Sequence, residues 1–135
     1  MSNTPARLNP TTLPDAGKIG YSQISIANPG RLAFVSGQVA MDAAGSTVPD
    51  TLEDQAEQVV KNLATALTAM DACNEDIVQM RIYMTDLNDE TMGVAMAPIL
   101  TFLDGVQPSV TGIGAAALAG PDLKIEVEMV VQLPA

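Results

Sequence analysis

The sequence contains no histidine at all. That absence excludes serine–histidine and cysteine–histidine nucleophile pairs, histidine-ligated zinc and acid–base catalysis by imidazole. The single cysteine, Cys73, can form neither an internal disulfide nor a cysteine-ligated metal cluster. No nucleotide or flavin motif is present either, so we expect neither a metal nor a cofactor. Any chemistry falls to carboxylates, hydroxyls, amines, guanidinium groups or the backbone.

Positive charge and aromatic rings are both scarce. Sixteen acidic residues outnumber six basic ones, which gives a formal net charge of −10, and the chain has two Phe, two Tyr and no Trp. Nucleic acids are bound mainly by clustered Lys and Arg and by aromatic rings that stack on bases. The basic residues here form no run: Arg7, Lys18, Arg31, Lys61, Arg81 and Lys124. We therefore expect no nucleic-acid partner.

Long apolar runs are also missing. The longest apolar stretch, near Ile113–Leu118, is far shorter than the ~20 residues that cross a bilayer. The opening MSNTPARLNP has no hydrophobic segment of the kind found in signal peptides. We expect no membrane association and a cytoplasmic location. Apolar residues nevertheless make up 47% of the chain and charged residues 16%, which indicates that part of the surface is buried against other copies.

The hydrophobic pattern predicts one α+β domain over residues 1–135, in the order β-β-α-β-α-β-β. Apolar residues at helical spacing predict a helix from about Thr51 to Met70, with Asp50 and Glu53 as its capping box. A second helix, from Asn88 or Asp89 to Leu103, contains Pro98, which removes one backbone hydrogen bond. Alternation predicts the strands, of which the first two form a hairpin: Tyr21–Ile26, Leu32–Ser36, residues 78–85, Ser109–Ala116 and Ile125–Val131.

Both amphipathic helices are expected on one face of the sheet, because each needs a partner layer. The methionines of these elements (80, 84, 92, 96 and 129) then fill the core, and Cys73 is expected to be inert packing. The other face carries mixed polar residues and is a plausible place for subunits to meet: Gln79, Arg81, Tyr83, Glu126 and Glu128. Arg81 is a candidate for an intersubunit salt bridge and, less favoured, for an anion clamp.

Six segments, in order, resemble those of the Rid (reactive intermediate deaminase) family, which includes the YjgF-like proteins. The resemblance covers roughly residues 8–132 and rests on GYSQ at 20–23, FVSGQV at 34–39, QAEQ with NL at 55–63, DIV at 76–78, YMTDL at 83–87 and IEVE at 125–128. It implies a chorismate-mutase-like fold and a homotrimer whose sheets form a central barrel with clefts between subunits. Family members with full motifs hydrolyse enamines and imines to 2-oxo acids and ammonia.

The sequence departs from the family at the clamp for the substrate carboxylate. Val110 stands where the family has an arginine, and Val94 where it has an asparagine. The resemblance assigns catalytic roles to Glu126 and Tyr21, and places the remaining candidates in the ligand cleft: Ser36, Gly37, Gln38, Val94, Val110, Thr111 and Gly112. Even with the resemblance, Glu126 is equally consistent with a solvated strand position, and Thr111 and Gly112 with plain strand residues.

The resemblance thus implies a Rid-like homotrimer that binds a small metabolite, with deaminase activity altered or lost because of Val110. The alternative is a non-catalytic trimer that senses a ligand or binds a protein. Ribonuclease or translation-inhibitor activity, which the family has also been associated with, is disfavoured by the net charge of −10 and the absence of histidine.

Overall fold

Two helices lie on one face of a mixed four-stranded sheet, and a two-stranded ribbon lies beside it. The computed structural model describes residues 3–134. The helices are α1 (Leu52–Ala69) and α2 (Asp89–Leu103), and a short 3-10 turn spans Asn74–Asp76. The strands are β1 (Ala6–Leu8), β2 (Ile24–Ile26), β3 (Leu32–Gln38), β4 (Ile77–Met84), β5 (Ser109–Gly114) and β6 (Ile125–Gln132).

The four-stranded sheet has the order β3-β6-β4-β5. The pair β4 and β5 is parallel, with α2 in the connection between them, and β6 is antiparallel to both of its neighbours. The predicted α+β class is therefore confirmed, and the bounds of both helices agree with the prediction to within one residue.

The core lies between the sheet and the helices. Every second residue of β6 from Ile125 to Val131 is buried, as the alternation predicted. Leu63 of α1 and Ile99 of α2 are fully buried against this surface. The methionine prediction is confirmed, because residues 80, 84 and 129 are buried and residues 92 and 96 pack against the core.

One of the two predicted helix N-caps is wrong. Thr51, not Asp50, caps α1: its hydroxyl accepts the Asp54 N–H at 3.1 Å. Asn88 caps α2 as predicted, and its side chain accepts the Thr91 N–H at 3.0 Å. Pro98 lies inside α2 as predicted.

The predicted opening hairpin is wrong. β2 pairs with β1, a strand that the sequence pattern did not predict among the first 20 residues, and β3 pairs with β6. The physical reason is Arg7, whose guanidinium donates to the Ser25 hydroxyl at 2.6 Å and to the Ile77 carbonyl at 2.5 Å. These bonds tie the β1–β2 ribbon to the start of β4.

The sheet face opposite the helices, called the open face below, carries the five polar residues expected there: Gln79, Arg81, Tyr83, Glu126 and Glu128, all exposed or half-buried. Cys73 is exposed rather than packed, which corrects the expectation for that residue. Within residues 3–134, no helix is long and apolar enough to cross a membrane.

Candidate functional site

Glu126 lies on the open face, because its neighbours Ile125 and Val127 are fully buried on the other side of β6. The adjacent strand β3 has an irregular register: Val35 pairs with Met129 and Gln38 with Val127, so two β3 residues face one β6 residue. Gly37 is one of the two. A Cβ atom on Gly37 would lie 2.6 Å from Cδ and 2.7 Å from Cγ of Glu126, so the glutamate side chain occupies the space beside a bare backbone.

Glu126 and Glu128 lie two residues apart on the same face but have different surroundings. The Tyr83 hydroxyl donates to Glu128 Oε1, and Nη1 of Arg81 lies 3.9 Å from the same oxygen. This hydrogen bond from Tyr83 to Glu128, followed by burial, raises the pKa of Tyr83. Within residues 3–134, by contrast, no hydrogen bond or ion pair joins the side-chain carboxylate of Glu126 to another residue. Glu128 is committed to its neighbours, and Glu126 is available.

The three candidate residues of β5 divide between the two faces of the sheet. Val110 and Gly112 pair with Met80 and Ile82, which are buried under the helices. Val110 packs against the core accordingly. Thr111 alternates with them, is exposed and pairs with Arg81 on the open face.

Tyr21 is half-buried beside the start of β5. The adjoining Ser22 bridges to Ser109, with its N–H bonded to the Pro108 carbonyl at 3.0 Å and its hydroxyl to the Gln107 carbonyl at 2.5 Å. Val94 lies on α2 and is 38% exposed. Ser36 and Gln38 both lie in β3, where the Gln38 side-chain amide donates to the Ser36 carbonyl at 3.0 Å.

Apart from Val94 on α2, the candidate residues therefore form two groups. Ser36, Gly37 and Gln38 lie with Glu126 at the β3 edge of the sheet, and Tyr21 lies with the β5 residues at the opposite edge. With strands ~4.8 Å apart, β3 and β5 are separated by about 14 Å within one chain. One chain does not bring the two groups into a single pocket.

Sequence reasoning missed Gln55, a fully buried polar residue of α1. Its side-chain amide donates to the carbonyls of Pro49 at 2.8 Å and Asp122 at 2.9 Å, and its oxygen accepts the Lys124 N–H at 2.8 Å. Gln55 thus holds the segment that leads into β6 and, two residues on, Glu126. The available signal was a glutamine next to Ala56 on the apolar side of the helix.

Two cavities adjoin this segment. One of about 380 Å³ is lined by residues that include Asp50, Thr85 and Lys124, and a second of about 290 Å³ shares those three. In the described part of the chain, no group of three or more Cys, Asp or Glu side chains is arranged to hold a metal ion.

Comparison with known proteins gives consistent matches. A family model described as Endoribonuclease L-PSP matches residues 14–133. The 2-iminobutanoate/2-iminopropanoate deaminase of Rattus norvegicus is 29% identical over 131 residues, which cover 96% of this chain and 92% of the rat protein.

Solved structures agree. A Rid-family protein of unknown function from Yersinia pestis superposes with a TM-score of 0.90 at 32% identity, covering 96% of this chain and 99% of that one. RidA from an Antarctic Psychrobacter superposes with a TM-score of 0.70 at 21% identity, covering 98% and 100% of the two chains, and this second likeness concerns the fold alone.

Proposed function

The chain belongs to the Rid family, the family of the Endoribonuclease L-PSP model. From that membership we propose that it is a deaminase of altered specificity, which hydrolyses an imine or enamine in a cleft between the subunits of a homotrimer. The substrate is a small metabolite, the product a carbonyl compound and ammonia. Its cytoplasmic location remains a prediction.

The division of the candidate residues into two groups supports a cleft made by two copies. The β3 edge with Glu126 and the β5 edge with Tyr21 and Val110 lie on opposite sides of the same sheet. When the β5 edge of one copy meets the β3 edge of the next, the two groups come together, and three such contacts close a ring.

The open face supports the same assembly. Phe34 is 76% exposed and Leu32 is 44% exposed, and both lie on the open face because Ala33 and Val35 pack against the core. Exposed apolar residues beside paired charges are typical of a surface that other subunits cover.

The observation that carries the proposed chemistry is the unpaired carboxylate of Glu126 against Gly37. Imine hydrolysis needs a base that holds and deprotonates the attacking water, and a positioned carboxylate without a competing partner is suited to that role. Tyr21 would supply a phenol that donates to the nitrogen or to the leaving ammonia.

The alternative is a trimer without catalysis that senses a ligand or binds a protein. Val110 favours it, because a valine holds no carboxylate. RNA cleavage is less favoured, because the net charge of −10 opposes binding of a polyanion.

The test is a coupled assay on the purified chain. An amino-acid oxidase generates imines from a panel of amino acids, and semicarbazide traps the imine that is not hydrolysed. Light scattering measures the molar mass, and hence the number of chains in the oligomer. Glu126→Gln is compared with Glu128→Gln, a matched change two residues along the same face. We expect a trimer, with turnover about 100-fold lower in Glu126→Gln and little changed in Glu128→Gln.

Two results would contradict the proposal. Equal loss in both variants would mean that Glu126 has no special role. Ligand binding without turnover in the wild-type protein, on any imine tested, would favour the non-catalytic alternative.

A further inference from the structure

The helix-facing side of β5 is formed by three small apolar residues. Val110, Gly112 and Gly114 pair with Met80, Ile82 and Met84, all three of which are buried beneath the helices. Paired residues of neighbouring strands project to the same side of a sheet. These three β5 residues are called the β5 strip below, and Val110, the position of the missing arginine, is its first member.

Apolar side chains flank the strip, whose two glycines are exposed while Val110 packs against the core. A Cβ atom on Gly112 would lie 2.8 Å from the terminal methyl of Met92, and one on Gly114 would lie 3.5 Å from Cβ and 3.7 Å from Cδ2 of Leu87. The absence of side chains on the glycines makes room for these two residues. Because a thioether side chain is flexible, Met92 can move aside for an apolar group of similar size.

Within residues 3–134, no hydrogen bond or ion pair joins a basic side chain to the β5 strip. Arg81 is on the open face beside Glu128, and Arg7 donates to backbone carbonyls at the start of β4. Lys124 lines the two cavities near the start of α1, the smaller of which includes Met84 at the Gly114 end of the strip, and Lys61 lines a cavity between the two helices. Arg31 precedes β3, six residues or about 20 Å along the strand from Gly37. Lys18 is the alternative cation tested below, since the Gln107 amide, just before β5, donates to the carbonyl of the adjoining Gly17 at 3.0 Å.

A carboxylate placed against the β5 strip would exchange water for the apolar groups of Val110, Met92 and Leu87 without gaining a charged partner, which is unfavourable. The family's two-pronged arginine pairing is not available at Val110. The net charge of −10 further disfavours an anionic substrate over a neutral one.

We propose that the substrate of this cleft is a neutral imine, whose imine carbon carries hydrogen or alkyl groups and no carboxylate; the inference rests on the proposed function. The oxygen of water forms a bond to the imine carbon, and the C=N electron pair moves to nitrogen, which takes a proton. After a second proton transfer the C–N bond breaks. One imine and one water give one aldehyde or ketone and one ammonia, with no change of oxidation state.

The test uses two imines that differ by a methyl group in place of a carboxylate. An amine oxidase produces 2-iminobutane from 2-aminobutane, and an amino-acid oxidase produces 2-iminobutanoate from 2-aminobutanoate. Each is generated with the purified wild-type trimer and, separately, with Glu126→Gln, and semicarbazide reports the imine that remains. Val110→Arg is measured on both imines.

We expect the wild-type protein to favour 2-iminobutane by at least about tenfold, the size of effect that one charged hydrogen bond supplies. Val110→Arg should shift the preference towards 2-iminobutanoate. If Val110→Arg does not fold, the wild-type preference still decides the question, because it needs no variant.

The two proposals fail differently. Wild-type turnover of 2-iminobutanoate equal to or faster than that of 2-iminobutane would overturn the neutral-substrate inference and leave the deaminase proposal standing, and loss of that turnover in Lys18→Ala would identify the cation. If neither imine is hydrolysed faster than in Glu126→Gln, both proposals are overturned.

Discussion

Glu126 lies so close to Gly37 that any other residue at position 37 would displace the glutamate. The space beside the glycine, where a side chain would begin, is filled by the carboxyl end of Glu126 from the neighbouring strand. The backbone at position 37 and the carboxylate at position 126 therefore depend on each other.

The first prediction is that Gly37→Ala abolishes the contribution of Glu126 to imine hydrolysis without unfolding the protein. The new methyl group pushes the flexible end of Glu126 aside, so turnover should fall about as far as in Glu126→Gln, about 100-fold. The control is Gly93→Ala in α2, where an added Cβ meets nothing within 4 Å. That change should retain activity and stabilise the fold by about 0.5–1 kcal/mol. Full activity in Gly37→Ala would show that the position of Glu126 is unimportant.

The second prediction concerns Gln55. Gln55→Leu keeps the apolar volume but leaves the carbonyls of Pro49 and Asp122 and the N–H of Lys124 without their partner. Unsatisfied buried groups cost 1–3 kcal/mol each, so we expect a loss of roughly 3 kcal/mol in the free energy of unfolding. Urea unfolding at one fixed protein concentration measures it. Gln58→Leu, at a half-buried position of the same helix, should cost less than about 1 kcal/mol, and an equal cost would refute the role given to Gln55.

The third prediction is that Arg7→Lys loosens the β1–β2 ribbon. The guanidinium reaches the Ser25 hydroxyl and the carbonyls of Glu75, Ile77 and Val78 at 2.5–3.4 Å, and a single ammonium cannot span that set. Hydrogen exchange of the β2 amides should become faster, while that of β6 stays unchanged. Arg31→Lys is the matched control. Unchanged exchange in β2 would mean that the ribbon is held by other contacts.

The fourth prediction concerns the exposed thiol of Cys73. The nearby Glu75 carboxylate, then burial and the Asp76 carboxylate, whose Oδ2 accepts from the thiol at 3.3 Å, raise its pKa to about 11 from an ordinary value of 9.0. The raised pKa favours the protonated thiol, so its contribution to stability is complete below pH 9.0 and disappears as the pH rises through about 11.

At pH 8 the folded protein should therefore react with a disulfide reagent at least about tenfold more slowly than the urea-unfolded chain, because the thiolate is the attacking species. Glu75→Gln should accelerate the reaction in the folded protein. Equal rates in folded and unfolded protein would show that Glu75 and Asp76 do not restrain the thiol.

The local hydrophobic pattern was sufficient to predict most of the helices and strands. A helix or strand with one buried side has apolar residues at a regular spacing along the chain. The spacing of Leu63 and Leu67 and the alternation in β6 are examples, and both can be recognised from the sequence. The same argument located the polar open face. It failed for the first strands, because β1 is three residues long and its position depends on Arg7 contacts with residues about 70 positions away.

The sequence by itself determined the fold class, the family and the residue types available for chemistry, because periodicity, motif order and composition are properties of the chain alone. Tertiary structure decided where those residues meet. The bulge beside Gly37, the different surroundings of Glu126 and Glu128, and the direction of Val110 towards the helices all depend on which strands are neighbours and in what register. Strand pairing brings together residues far apart in sequence, so no local pattern specifies it.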